Sequence, residues 1–167
     1  MNNVFSITDS YEKMRIAREI LEALPEWFGI PEARENYIKN SADQLFFTCK
    51  NADEPGENLG FLTLAPTGKD TVELAVMGVK KEHHREGIGR ALFLAAKTAA
   101  REAGFSFLQV KTVRMGVYPE YDATNRFYLA LGFKEFEVMP ELWSEENPCQ
   151  IYVMSLHEHL EEKEVSR

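Results

Sequence analysis

Thr8, Asp9 and Ser10 can each cap a helix, and the apolar residues that follow them keep helical spacing. Met14, Ile16, Ala17, Ile20, Leu21 and Leu24 recur at that period as far as Pro25. Pro31, whose fixed φ suits a first helical turn, is expected to open a second helix with Ala33, Tyr37 and Ile38 turned inward. Between the two lies an aromatic connection, Leu24-Pro25-Glu26-Trp27-Phe28-Gly29. The period then changes. Residues 44–50 and 60–65 read as strands parted by a polar turn containing Pro55-Gly56. Residues 72–79, VELAVMGV, are apolar at nearly every position, which predicts a central strand buried on both faces. A long helix is predicted over 87–103, closed by Gly104, with Ile88, Leu92, Ala95, Ala99 and Ala103 on one face. A strand over 105–113, a helix over 122–131 ended by Gly132, and strands over 133–138 and 149–156 complete the pattern. Interleaved helices and strands predict one α/β (α+β) domain over residues 1–156 with a mixed sheet, and 157–167 read as a charged tail.

Composition narrows the function classes. The chain has 167 residues, enough to bury a core without disulfides or a metal. Its net charge of −8 makes it a poor duplex binder, because nucleic-acid affinity rests on a basic surface. No apolar run approaches the ~18 residues of a membrane span, and the N-terminus lacks the basic and apolar segments of a secretory signal. Cys49 and Cys149 show no CxxC spacing. A reduced, cytoplasmic setting is therefore expected, although one bridge between them stays open on sequence alone. His83 and His84 have no third ligand at a metal-binding spacing, so no metal is expected. Cys149 reads as a buried small hydrophobe in preference to a nucleophile.

The segment that points to chemistry is the strand VELAVMGV, the loop KKEHHRE and then GIGRAL opening a helix. A helix N-terminus offers unpaired N–H groups and partial positive charge to an anion. Gly87 and Gly89 lack side chains where a pyrophosphate would approach the backbone, although both could equally serve a tight strand-to-helix turn. Lys80, Lys81, Arg85 and Arg90 outweigh Glu82 and Glu86 there, so this stretch carries +2 and the remainder carries −10. The Walker pattern is absent, and Leu92 stands where the dinucleotide fingerprint needs its third glycine.

The run His84-Arg85-Glu86-Gly87-Ile88-Gly89-Arg90-Ala91-Leu92 resembles the acyl-coenzyme A loop of the GNAT superfamily of N-acetyltransferases, Gln/Arg-x-x-Gly-x-Gly/Ala. Downstream, Phe127-Tyr128-Leu129-Ala130-Leu131-Gly132-Phe133 resembles the superfamily's FYxxLGF signature, and the motifs stand in the right order. His84 departs from the usual Gln or Arg, and Tyr121 stands where many members have Asn. The resemblance implies a GNAT-like acyl-CoA N-acyltransferase fold, a twisted mixed sheet of six or seven strands flanked by about four helices. It implies transfer of an acetyl group from acetyl-CoA to a primary amine of a small molecule or peptide, without metal, and it admits a homodimer. The other outcome of the same fold is a non-catalytic acyl-CoA sensor or interaction module.

By the same resemblance, the backbone of Met77 and Val79 would pair with the pantetheine arm as an added strand. His84, Arg85, Glu86, Gly87, Ile88, Gly89 and Arg90 would hold the pyrophosphate. Tyr128 matches the general acid that protonates the departing thiolate, since a phenol of pKa ~10 keeps its proton where a thiol of pKa ~8.5 is losing one; its spacing alone also fits a core aromatic. Glu73 aligns with the base-bearing strand of the histone-acetyltransferase branch, and it fits equally a strand-mouth glutamate paired with a lysine. Trp27, Phe28 and Trp143 fall in segments that line the acceptor pocket of such enzymes, or plug the ends of the core.

Overall fold

A carboxylate starts the first helix. Asp9 accepts the Glu12 backbone N–H at 2.8 Å, and α1 (Ser10–Glu22) runs from that cap with Ile16, Ala17, Ile20 and Leu21 buried. The computed structural model describes residues 3–157, so the tail beyond His157, His159 included, lies outside the described residues. Pro31 opens α2 (Pro31–Ser41) as its spacing predicts. The chain continues through β2 (Leu45–Lys50), β3 (Asn58–Pro66), β4 (Thr71–Val79), α3 (Ile88–Glu102), β5 (Phe107–Val113), α4 (Pro119–Ala130), β6 (Lys134–Ser144) and β7 (Asn147–Ser155). Ahead of α1 lies a strand the pattern did not disclose, β1 (Asn3–Ile7), an edge strand lying mostly in solvent.

The seven strands run in the order β1-β2-β3-β4-β5-β7-β6, and only β4 and β5 are parallel. One layer of core lies under α3, where Ile88, Leu92, Phe93, Ala96 and Ala100 meet Leu62, Leu64, Val72, Leu74, Leu108 and Val110. The buried face of α3 is thus rotated from the expected one, because the Phe93 ring rather than Ala103 is drawn inward. The other layer packs α1 and Ile38 of α2 against Phe46, Phe61 and Val76. Both cysteines are free and buried, so the bridge left open by the sequence is not formed.

The continuous apolar run of β4 has a specific cause. Thr63 of β3 pairs with Val76 and the next residue, Leu64, pairs with Leu74, so Ala75 is an extra residue, a β-bulge. One inserted residue turns every later side chain to the opposite face. Val72 and Leu74 belong to the α3 core, whereas Val76 joins the α1 core after the bulge and Met77 and Val79 take over the α3 side. Both phases of the strand therefore need apolar residues. The pairing of β4 with β5 ends at Leu74 and Val110, although the strands run on to Val79 and Val113. The sheet splits open there. At the far side of the split, the Val113 carbonyl accepts from Asn125 Nδ2 at 2.9 Å, so α4 satisfies it.

Candidate active site

The loop between β4 and α3 has the geometry of an anion cradle. Arg85 at φ 65° and Gly87 at φ 80° are both left-handed, and Gly87 is the N-cap of α3 with no side chain capping it. Alternating backbone hands of this kind turn successive N–H groups toward one concavity. Among the described residues, no backbone N–H of residues 85–90 donates to a protein acceptor, and the first turn of α3 carries no acidic residue. A Cβ at Gly87 would meet no atom within 4 Å, so the space above it is open.

Gly89 is different. A Cβ there would stand 3.0 Å from Cζ of Phe127 and 3.6 Å from Cε of Met77, so its missing side chain seats the first turn of α3 against α4. Gly89→Val is expected to destabilise the fold by about 1–3 kcal/mol through overpacking. Urea unfolding checks this, and an unchanged midpoint would show that Phe127 yields freely.

The cationic strip is largely neutralised at its first half. Lys80 reaches Glu19 at 2.8 Å and Glu57 at 3.6 Å, and Lys81 is paired with Glu26. Among the described residues, Arg85 and Arg90 have no such partner, so they are the cations open to an anion. His83 bonds Glu86 at 3.1 Å. His84 closes a ring nitrogen on the Val79 carbonyl at 2.8 Å and meets the Trp27 ring edge-on at 5.8 Å. The residue that departs from the family's Gln or Arg therefore links the end of β4 to the connection between α1 and α2.

That connection is strapped to α4 as well. Tyr121 donates to the Trp27 carbonyl at 2.8 Å, and Trp27 Nε1 donates to Thr124 Oγ1 at 3.3 Å. Tyr121, the second departure from the motif, is a positioning residue that sequence reasoning flagged without a role. Its phenol is pushed up to about 12, chiefly by burial, with Tyr37, Tyr118 and Glu120 adding to it. A phenol whose pKa is higher in the folded chain contributes stability that is intact below ~10 and lost as pH rises through the folded value. Tyr121→Phe should cost about 1 kcal/mol at about pH 8, where the hydrogen bond is lost, and less at about pH 11. Urea unfolding at both pH values reads this; a gap that widened with pH would contradict it.

Tyr128 lies on the inner side of α4 among Phe127, Phe133 and Tyr152, and is 5% exposed. Among the described residues its hydroxyl has no hydrogen-bond partner. Burial drives its pKa far upward, with Tyr121 and Tyr37 contributing, so it holds its proton at neutral pH. Asn125, one turn earlier, bonds the Tyr121 carbonyl at 2.7 Å and accepts from Tyr152 at 2.6 Å, fixing α4 to β7. The sequence gives only a weak signal for that role, a polar residue amid the apolar face of a helix.

On the opposite face of the sheet, Glu73 and Lys111 are paired at 3.1 Å. Tyr37 and Cys149 share their neighbourhood. Burial and then Glu73 push the Tyr37 phenol up, and burial pushes the Cys149 thiol up to about 11. Phe28 packs edge-on against Tyr37 at 5.9 Å, and Trp27 and Phe28 both rest on the α1-side core. Trp143 is not brought to them. It sits on the edge strand β6, beyond β7 from the split, and is 45% exposed. Among the described residues no His, Cys, Asp or Glu cluster has the form of a metal site, and no helix is long and apolar enough to cross a membrane.

The acetyltransferase (GNAT) domain family matches residues 42–135, more than half of the chain. Among solved structures, a GNAT-family protein from Desulfovibrio desulfuricans superposes with a TM-score of 0.78 at 18% identity, covering 94% of this chain and 100% of that one. The ribosomal-protein-S18-alanine N-acetyltransferase of Escherichia coli gives 0.74 at 18% identity, with 97% and 98% covered. The yncA protein of Salmonella typhimurium, solved with its cofactor acetyl-CoA, gives 0.68 at 16% identity, with 95% and 96% covered.

Proposed function

The chain belongs to the GNAT acetyltransferase family and is an acyltransferase, and from that premise we propose that it moves the acetyl group of acetyl-CoA onto a primary amine. The observation that carries this reading is the free row of N–H groups over residues 85–90, set beside the split between β4 and β5. A pyrophosphate suits such a row, and an extended pantetheine arm suits the edge of β4 that β5 leaves open at Met77 and at the Val79 N–H, the Val79 carbonyl being held by His84. Acetyl-CoA would supply an acetyl group already activated as a thioester.

The rest falls to the chain's own residues. Residues 85–90 bind through backbone N–H groups, and Arg85 and Arg90 add the charge that Lys80 and Lys81 spend on Glu19, Glu57 and Glu26. The amine, arriving as an ammonium ion, gives up one proton, and Glu73 is the carboxylate on the acceptor face able to take it. The nitrogen lone pair then forms the C–N bond as the C–S bond breaks with its electrons on sulfur. Tyr128 protonates that sulfur and is restored by the second proton leaving nitrogen, so amide, thiol and one proton result.

Thiol release from acetyl-CoA across a panel of amines, with products identified by mass, tests the proposal. At least one acetylated amine is expected. Tight coenzyme A binding without any acetylated product would instead favour a sensor or interaction module.

A further inference from the structure

The ion pair on the acceptor face is incomplete on both sides. Glu73 neighbours Val72 and Leu74, which face α3, so strand alternation turns it toward α1 and α2. Lys111 follows Val110 on β5 and takes the same face. The pair therefore lies diagonally across the last rung, Leu74 opposite Val110, with Lys111 just inside the split that would take the thioester. Among the described residues, the only hydrogen bond either side chain makes is Lys111 Nζ to Glu73 Oε1, at 3.1 Å. Two ammonium N–H groups and one carboxylate oxygen are left over. Both side chains keep contact with solvent, at 18% exposure for Glu73 and 26% for Lys111. Tyr37 and Cys149, which also lie near the pair, are held neutral at physiological pH.

From this geometry, and resting on the acetyltransferase reading above, we infer that the acceptor is a zwitterion, an α-amino acid whose carboxylate docks on Lys111 while its amino group lies against Glu73. A simple amine would bring a third charge to a half-buried pair that is already neutral, and would leave one cation without a partner. A zwitterion exchanges one ion pair for two and keeps the site neutral. Lys111 thereby becomes a specificity residue. It holds the acceptor by its acid group and leaves the nitrogen free for the thioester.

The experiment compares α-amino acids with their decarboxylated amines, phenylalanine against phenethylamine and leucine against isopentylamine, together with a peptide carrying a free N-terminus. The readouts are thiol release and product mass. The amino acids are expected to have kcat/KM about tenfold or more above their amines, carried by KM. Lys111→Met should raise KM for the amino acids about tenfold relative to KM for the amines, so that the preference disappears, while Lys111→Arg restores it. Calorimetry with coenzyme A shows whether each variant is folded and keeps its cofactor site. Amines or the peptide acetylated as well as the amino acids, or a Lys111→Met variant with the parent's preference, would overturn the zwitterion and leave the acetyltransferase standing. Coenzyme A binding with no acetylation of any acceptor would overturn both.

Discussion

Tyr128→Phe should transfer acetyl groups about a hundredfold more slowly than the parent chain, with coenzyme A affinity and fold unchanged. The side chain makes this a clean comparison. Its ring fills a space among Phe127, Phe133 and Tyr152, which phenylalanine fills equally well, and its hydroxyl has no partner among the described residues to be orphaned by the change. Only the proton is removed. Because burial keeps the phenol protonated well above neutrality, the parent's rate should show no loss on the alkaline side between about pH 7 and 9 that could be assigned to this group. Steady-state thiol release and calorimetry give kcat and affinity independently. A kcat within twofold of the parent's would remove Tyr128 from the proton transfer and leave it as a core aromatic.

Gly87→Val should weaken coenzyme A binding by about a hundredfold, equivalent to ~2.7 kcal/mol, while the far-ultraviolet circular dichroism stays that of the parent. Gly87 holds φ 80°, a conformation that a β-branched residue adopts at a cost of ~1–3 kcal/mol. The cheapest escape for the loop is to leave the left-handed region, and that turns the N–H groups on either side away from their common direction. No core atom is displaced, since nothing lies within 4 Å of the new Cβ. Gly87→Ala, with a smaller backbone cost, should weaken binding by about tenfold. Equal affinity in all three proteins would mean that the anion is held by side chains rather than by the backbone.

These two glycines also show how far the sequence could be read. Two glycines separated by one residue mark a strand-to-helix turn, and that turn is present. Their separate duties are not legible in the motif. Gly87 supplies a backbone hand and Gly89 supplies room for Phe127, a residue 38 positions later that comes near only when α4 packs on α3. The same limit applies across the molecule. Helices with strong periodicity and caps, such as α1, were readable because their signals are local. The edge strand β1 was not, because a five-residue segment with both faces partly in solvent has neither alternation nor an apolar run. Strand β6 extends to Ser144, past its expected end, through mostly exposed residues anchored to β7 at Met139 and again at Ser144, with an irregular stretch between them. Among site residues, Glu73 could be singled out from its place in the strand, but its partner could not. Lys111 lies inside FLQVKTV, where a lysine within an apolar strand was the available signal, and its meaning depended on which face of β5 it took. The charge strip needed the fold as well. Glu19, Glu26 and Glu57 are remote in sequence, and they reduce four apparent cations to two.

The extra residue at Ala75 gives β4 two halves with separate obligations. Before it, the residue turned away from the α3 core is Glu73, which pairs with Lys111. After it, Met77 and Val79 line the side where α3 begins. β3 pairs with β4 on both sides of the bulge, so both halves stay in the sheet while their side chains alternate in opposite phase. On the proposed function, the acceptor side would answer to Glu73 in the first half and the acyl-donor side to Met77 and Val79 in the second, so a change of acceptor would call for substitutions before the bulge and not after it.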